Sequence, residues 1–157
     1  MDALKPFGYE LFANTPTTYA PAADIPVPLE YTIGPGDAVK VQLIGNVKAN
    51  HKLVVGRTGE INFPELGPIS VAGMPFDELQ SLIEKTVAEQ MIGTRAVVTM
   101  GELRAITVFI TGEAAQPGSF SIGSLSTVTN ALFASGGVSE IGSLRNIQLK
   151  RGGTLVT

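Results

Sequence analysis

The chain has 157 residues, 44% of them hydrophobic, enough for one ordinary domain or two small ones with a real core. Net charge is −3 without a run of Lys or Arg, so the basic footprint of a nucleic-acid binder is missing. The absence of cysteine excludes disulfides, thiolate metal sites and a cysteine nucleophile, and the apolar stretches fall short of the ~20 residues a membrane-spanning helix needs.

Eighteen glycines and only 16% charged residues point to a turn-rich protein with short strands. Residues 1–30 hold Pro6, Pro16, Pro21, Pro26 and Pro28, which disfavour helix. Phe7, Tyr9, Phe12 and Tyr19 are interleaved with them, so a Pro-rich extended arm is predicted, laid over its own domain or docked on a neighbouring subunit. In Gly34-Pro35-Gly36-Asp37, Pro35 presets φ and Gly36 can take positive φ, which predicts a tight turn. A strand follows over 38–44, another over 52–55, and a hairpin through Arg57-Thr58-Gly59 into Glu60-Ile61-Asn62-Phe63. Residues 66–71 read as one more short strand.

Pro75 suits the first position of a helix over 75–91. Asp77 and Glu78 suit its positive end, and Phe76, Leu79, Ile83 and Val87 form its apolar stripe. Residues 95–100 are a β-branched strand. These elements make a small domain over 31–101. A second unit, 102–157, pairs a strand at 106–111 with Ser119-Phe120-Ser121-Ile122 across a loop carrying Pro117 and Gly118. A short helix over 127–134 follows, capped by Ser126 or Thr127 and stopped by Gly136-Gly137, then an alternating strand over 145–150. Hairpin, helix and strand in a short span suggest a β-grasp arrangement, so the fold class is α+β.

The N-terminus lacks a charged start followed by an apolar run, so it is not a signal peptide. Lys150-Arg151-Gly152-Gly153-Thr154 reads as a motif cut part-way. The expectation is an excised segment with an added Met1, in preference to a cytosolic chain, with the second unit truncated or continuing beyond it.

Catalytic chemistry leaves convergent acids, bases or metal ligands. The single histidine, His51, falls between two predicted strands and reads as a solvated turn residue. With it alone, a histidine-rich metal site is excluded, and no Asp-rich calcium loop is present. Gly34-Pro35-Gly36-Asp37 leads into a strand and Gly136-Gly137 follows a helix, so neither is a phosphate-binding glycine motif. No catalytic, cofactor-binding or metal residue is assigned, and no enzyme activity is expected. Arg145, Lys150 and Arg151 form a small basic group, read as a solvated strand face or as a contact for an acidic sugar polymer or another subunit.

Taken in order, Tyr31-x-Ile33-Gly34-Pro35-Gly36-Asp37, Val39-x-Val41, the segment 59–64, the segment 67–73 and the helix at Pro75 resemble the outer-membrane polysaccharide export family of Gram-negative bacteria. The second unit, through the segment 108–113, Pro117-Gly118-Ser119-Phe120, Ala131-Leu132-x-Ala134-x-Gly136-Gly137 and Ile147-x-Leu149-x-Arg151, resembles the soluble-ligand-binding β-grasp module that follows the export domain. The chain departs from the family at Thr58, where Asp is frequent, and at Gly93-Thr94-Arg95-Ala96, which replaces a proline-led strand. The resemblance implies a periplasmic part of an outer-membrane channel for capsular or exopolysaccharide, supplying ring wall and subunit contacts. It implies three partners: the polysaccharide, other copies of the chain in a ring, and an inner-membrane polysaccharide co-polymerase. The lipidated cysteine and membrane-crossing part of the family are not seen in this chain, so contact with the membrane is expected only through parts outside it. The competing reading is a soluble saccharide-binding module with a defined pocket, against which the 6% aromatic content and absence of Trp weigh.

Overall fold

The computed structural model describes residues 8–12 and 26–157. Of these, 26–104 form one compact unit and 8–12 with 105–157 form another.

In the first unit, β1 (Ala38–Gly45) is the middle strand of an antiparallel sheet. It lies between β2 (Ala49–Val54) and β5 (Thr94–Met100). Side chains alternate across a strand. Val39, Val41 and Leu43 of β1, Leu53 of β2, and Ala96 and Val98 of β5 are buried on one face. That face is covered by α1 (Phe76–Gln90), which buries Phe76, Leu79, Ile83 and Val87, the stripe predicted from spacing. A second hairpin, β3 (Glu60–Phe63) with β4 (Gly67–Ser70), adds Ile61 and Phe63 to the core. Gln80 Nε2 of α1 donates to the Val98 carbonyl of β5 at 2.8 Å, tying helix to edge strand by a polar as well as an apolar contact.

Pro75 stands at the N-cap rather than in the first helical position, and no side chain caps the helix. The free amides at a helix start need acceptors. Here they find backbone: Phe76 N–H donates to Tyr31 O at 3.0 Å and Asp77 N–H to Leu29 O at 3.2 Å. The segment entering the domain thus caps its helix, and Ile33 continues the pairing with Gly73 and Met74.

The second unit contains the hairpin β6 (Ala105–Ile110) and β7 (Gly118–Gly123), the helix α2 (Val128–Ala134) and a small hairpin β8 (Lys150–Arg151) and β9 (Thr154–Leu155). Thr127 is the cap of α2, its hydroxyl accepting from Asn130 N–H. Tyr9–Phe12 form a 3-10 turn instead of extended chain, within the proline-free span between Pro6 and Pro16. Tyr9 Oη donates to Gly142 O, and the Phe12 and Phe133 rings meet at 4.9 Å. The rest of the predicted arm over 1–30, with Phe7 and Tyr19, lies largely outside the described residues.

Every fully buried apolar side chain among the described residues lies between Tyr31 and Val98. The second unit buries none, and Phe109 is 79% exposed. Two sequence expectations also change. The alternating pattern at 145–150 yields a strand only at Lys150–Arg151, because a strand needs a partner edge and β9 is two residues long. His51 is a β2 residue paired with Val41, because the β1–β2 connection closes early, at Asn46–Lys48.

Candidate functional site

Two features of the first unit are candidates: a buried carboxylate and an open sheet face.

The carboxylate belongs to Asp37. Gly34 O accepts from Asp37 N–H at 3.1 Å, closing a turn with Pro35 second and Gly36 third at φ +94°, as a type II turn requires. This tight return places the Asp37 side chain, fully excluded from solvent, beneath its own turn. The Gly34 amide donates to Oδ2 at 2.9 Å. Tyr31 Oη donates to the carboxylate at 2.9 Å from Oδ1 and 3.1 Å from Oδ2. From the far end of the domain, the Arg104 amide reaches Oδ1 at 2.8 Å and its Nη1 reaches Oδ2 at 2.5 Å. Arg104 Nη1 also donates to Tyr31 Oη and Thr32 O, and the guanidinium lies 5.6 Å from the centre of the Tyr31 ring.

A carboxylate offers about four lone-pair positions, and these donors occupy them. The Asp37 carboxylate thereby joins residues 31–37 to residue 104. Arg104 is the member that sequence reading missed. A lone basic residue at the start of the predicted second unit carries no local signal, since its partner lies 67 positions away.

The glycines around this node have separate reasons. A methyl group added at Gly34 would fall 2.6 Å from Arg104 Nη1, so the guanidinium occupies the space that a side chain would need. Gly36 needs its positive φ.

The sheet face opposite α1 is open. Register sets its rows: Lys40 is flanked by Lys52 and Thr99, Gln42 by Asn50 and Val97, and Ile44 by Arg95. A shallow depression of about 330 Å3 runs over the first two rows, and one of about 310 Å3 adjoins it where Lys48 stands beside Asn50. Lys52 Nζ pairs with Glu102 at 2.9 Å. That hydrogen bond and charge hold the Glu102 carboxyl below the ordinary glutamate range, with Lys40 adding to the effect.

His51 turns to the other side of β2. Its ring lies 5.3 Å from that of Phe63, and Nε2 is 3.4 Å from Glu65 Oε1. Nε2 is shielded from solvent and makes no geometrically sound hydrogen bond. The contact is one of proximity to the Glu65 carboxylate, without a hydrogen bond. No set of three potential metal ligands occurs among the described residues.

In the second unit, Pro117 precedes Gly118, the first residue of β7. Gly136 and Gly137 follow α2 at φ +75° and +91°, and their amides bond back to Phe133 O and Leu132 O, satisfying the helix end. Gly137 is packed against Phe12, where an added methyl would fall 2.5 Å from its Cβ. Lys150 and Arg151 are exposed at consecutive strand positions, which face opposite ways, and Arg145 is exposed in irregular chain before them.

Comparison with known proteins bears on both units. Residues 25–101 match the family model for polysaccharide biosynthesis/export protein. The chain is 30% identical over 148 residues to the polysialic acid transport protein KpsD of Escherichia coli, an alignment covering 93% of this chain and 26% of that protein. It is 30% identical over 120 residues to the EPS I polysaccharide export outer membrane protein EpsA of Ralstonia nicotianae, covering 75% of this chain and 32% of that protein. The chain thus spans between a quarter and a third of the length of these relatives. The turn at Asp37, the three-stranded sheet and α1 all lie within the matched segment, so residues 25–101 carry a polysaccharide biosynthesis/export protein domain.

Proposed function

We propose that this chain is the periplasmic part of an outer-membrane channel that exports capsular or exopolysaccharide, contributing ring wall and subunit contacts. The observation that carries the reading is the family match over 25–101, joined to two relatives named for polysaccharide transport or export. The relative from Ralstonia nicotianae is named as an outer membrane protein, which supports a Gram-negative outer-membrane location. Its partners in this reading are the polysaccharide, further copies of the chain and an inner-membrane co-polymerase. The module at 102–157 continues the export domain as a β-grasp-like unit.

The role is passive. The buried carboxylate is saturated by donors, and both relatives are named for transport or export. No described helix is long and apolar enough to cross a membrane. The chain's contribution is a rigid, polar wall past which a hydrated polymer slides.

The test is genetic. In cells that make this protein, removal of the domain at 25–101 is expected to abolish surface polysaccharide while polymer accumulates inside the envelope. Normal surface polysaccharide in that strain overturns the reading. Purified chain is expected to release no reducing ends from polysaccharide, and release abolished by one carboxylate substitution would make it an enzyme.

A further inference from the structure

We propose that the open face of the β2-β1-β5 sheet is a contact surface for acidic polysaccharide, an inference that rests on the export reading above. The charge on this face is opposite to that of the chain as a whole. The chain carries −3, yet Lys40, Lys48, Lys52 and Arg95 stand on or beside one sheet face, with Glu102 paired to Lys52. Lys40 and Lys52 are direct cross-strand partners. Like charges so placed repel and weaken a sheet. Glu102 neutralises one of them, and a polymer carboxylate lying along the row would answer the other.

Between the cations, Gln42 and Asn50 sit opposite each other, able to donate and accept hydrogen bonds with sugar hydroxyls. Among the described residues the face presents no aromatic side chain, so they offer no stacking platform of the kind by which a site grips sugar rings. Exposed charges and amides give a contact that is weak, screened by salt and indifferent to the exact residue along the polymer. Such a contact attracts an acidic chain without trapping it. The face is formed by strands, which hold these side chains in register, and α1 braces it from behind.

The experiment is a titration of the 157-residue chain with fluorescently labelled oligogalacturonate, and with neutral dextran of matched length, at several salt concentrations. Binding of the acidic oligomer that weakens as salt rises, without binding of dextran, is the expected result. Lys40→Gln with Lys52→Gln should weaken it roughly tenfold or more. Glu102→Gln should strengthen it, because Lys52 is then free. Replacement of Arg145, Lys150 and Arg151 by Gln should leave it unchanged. All replaced side chains are exposed, so melting curves that match the parent certify the fold of each variant. Absence of binding at low salt, equal binding of dextran, or unchanged affinity in the Lys40/Lys52 variant overturns the proposal. Equally tight binding of a DNA duplex overturns it too, by making the face a general polyanion patch. Failure here together with loss of export on removal of the domain would discard this face and leave the export reading standing. Binding as expected in a protein whose removal leaves export normal would do the reverse.

Discussion

Arg104 closes onto Asp37 across 67 positions of sequence, its Nη1 meeting a carboxylate that no solvent reaches. The first unit is therefore joined at its two ends by one charge pair, reinforced by Tyr31 and two backbone amides. Removing one partner of a buried pair is costlier than the pair's net worth, because the other is left with unmet polar groups. Asp37→Ala is expected to cost about 3 kcal/mol or more of unfolding free energy. Arg104→Ala should cost less, about 1–2 kcal/mol, since Asp37 keeps the Tyr31 hydroxyl and the Gly34 and residue-104 backbone amides as donors, whereas Asp37→Ala strands all of them. Urea unfolding of the two single variants and the double variant measures both and their coupling; equal costs with zero coupling would refute the node.

The two glycines of the turn should fail differently. Gly36→Ala puts a side chain at φ +94° and is expected to cost about 1–3 kcal/mol. Gly34→Ala displaces the Arg104 guanidinium, which stands where the methyl must go. Its cost should largely vanish in an Arg104→Ala background, whereas that of Gly36→Ala should persist. Melting midpoints of the four variants check this.

Glu102 titrates below the ordinary glutamate range because Lys52 bonds to it and attracts it. A carboxyl whose folded value is lowered contributes stability above its unfolded value and loses that contribution as pH falls through the folded one. The contribution is small, since both side chains are largely exposed. Lys52→Gln should return the Glu102 carboxyl toward the ordinary range, read by NMR titration of its side-chain carbon. An unmoved midpoint would show that the pair does not persist in solution.

Amide hydrogen exchange should divide the chain. Protection follows buried apolar contacts and shielded backbone bonds. β1, β5 and α1 enclose the buried core, while β6 to β9 bury no apolar side chain fully. Amides of β6 and β7 are expected to exchange faster than those of β1 by roughly a hundredfold or more, a difference of about 3 kcal/mol in opening free energy. Equal protection in the two units would contradict the division of the core.

What the sequence determined by itself was local. The turn at Gly34-Pro35-Gly36-Asp37, the buried stripe Phe76, Leu79, Ile83 and Val87, and the stop at Gly136-Gly137 follow from φ preferences and side-chain periodicity, which act within a few residues. The ordered set of turns carried the family resemblance for the same reason. Tertiary structure decided the rest. Whether 145–150 forms a strand depends on a partner edge, and alternation is silent about partners. His51 passed for a turn residue because the end of the β1–β2 connection depends on cross-strand register. Asp37 was legible as a turn residue and not as the centre of a node, and Arg104 was not legible at all. Their meeting, like the gathering of Lys40, Lys52 and Arg95 on one face, arises only when strands distant in sequence pair and bring their side chains together.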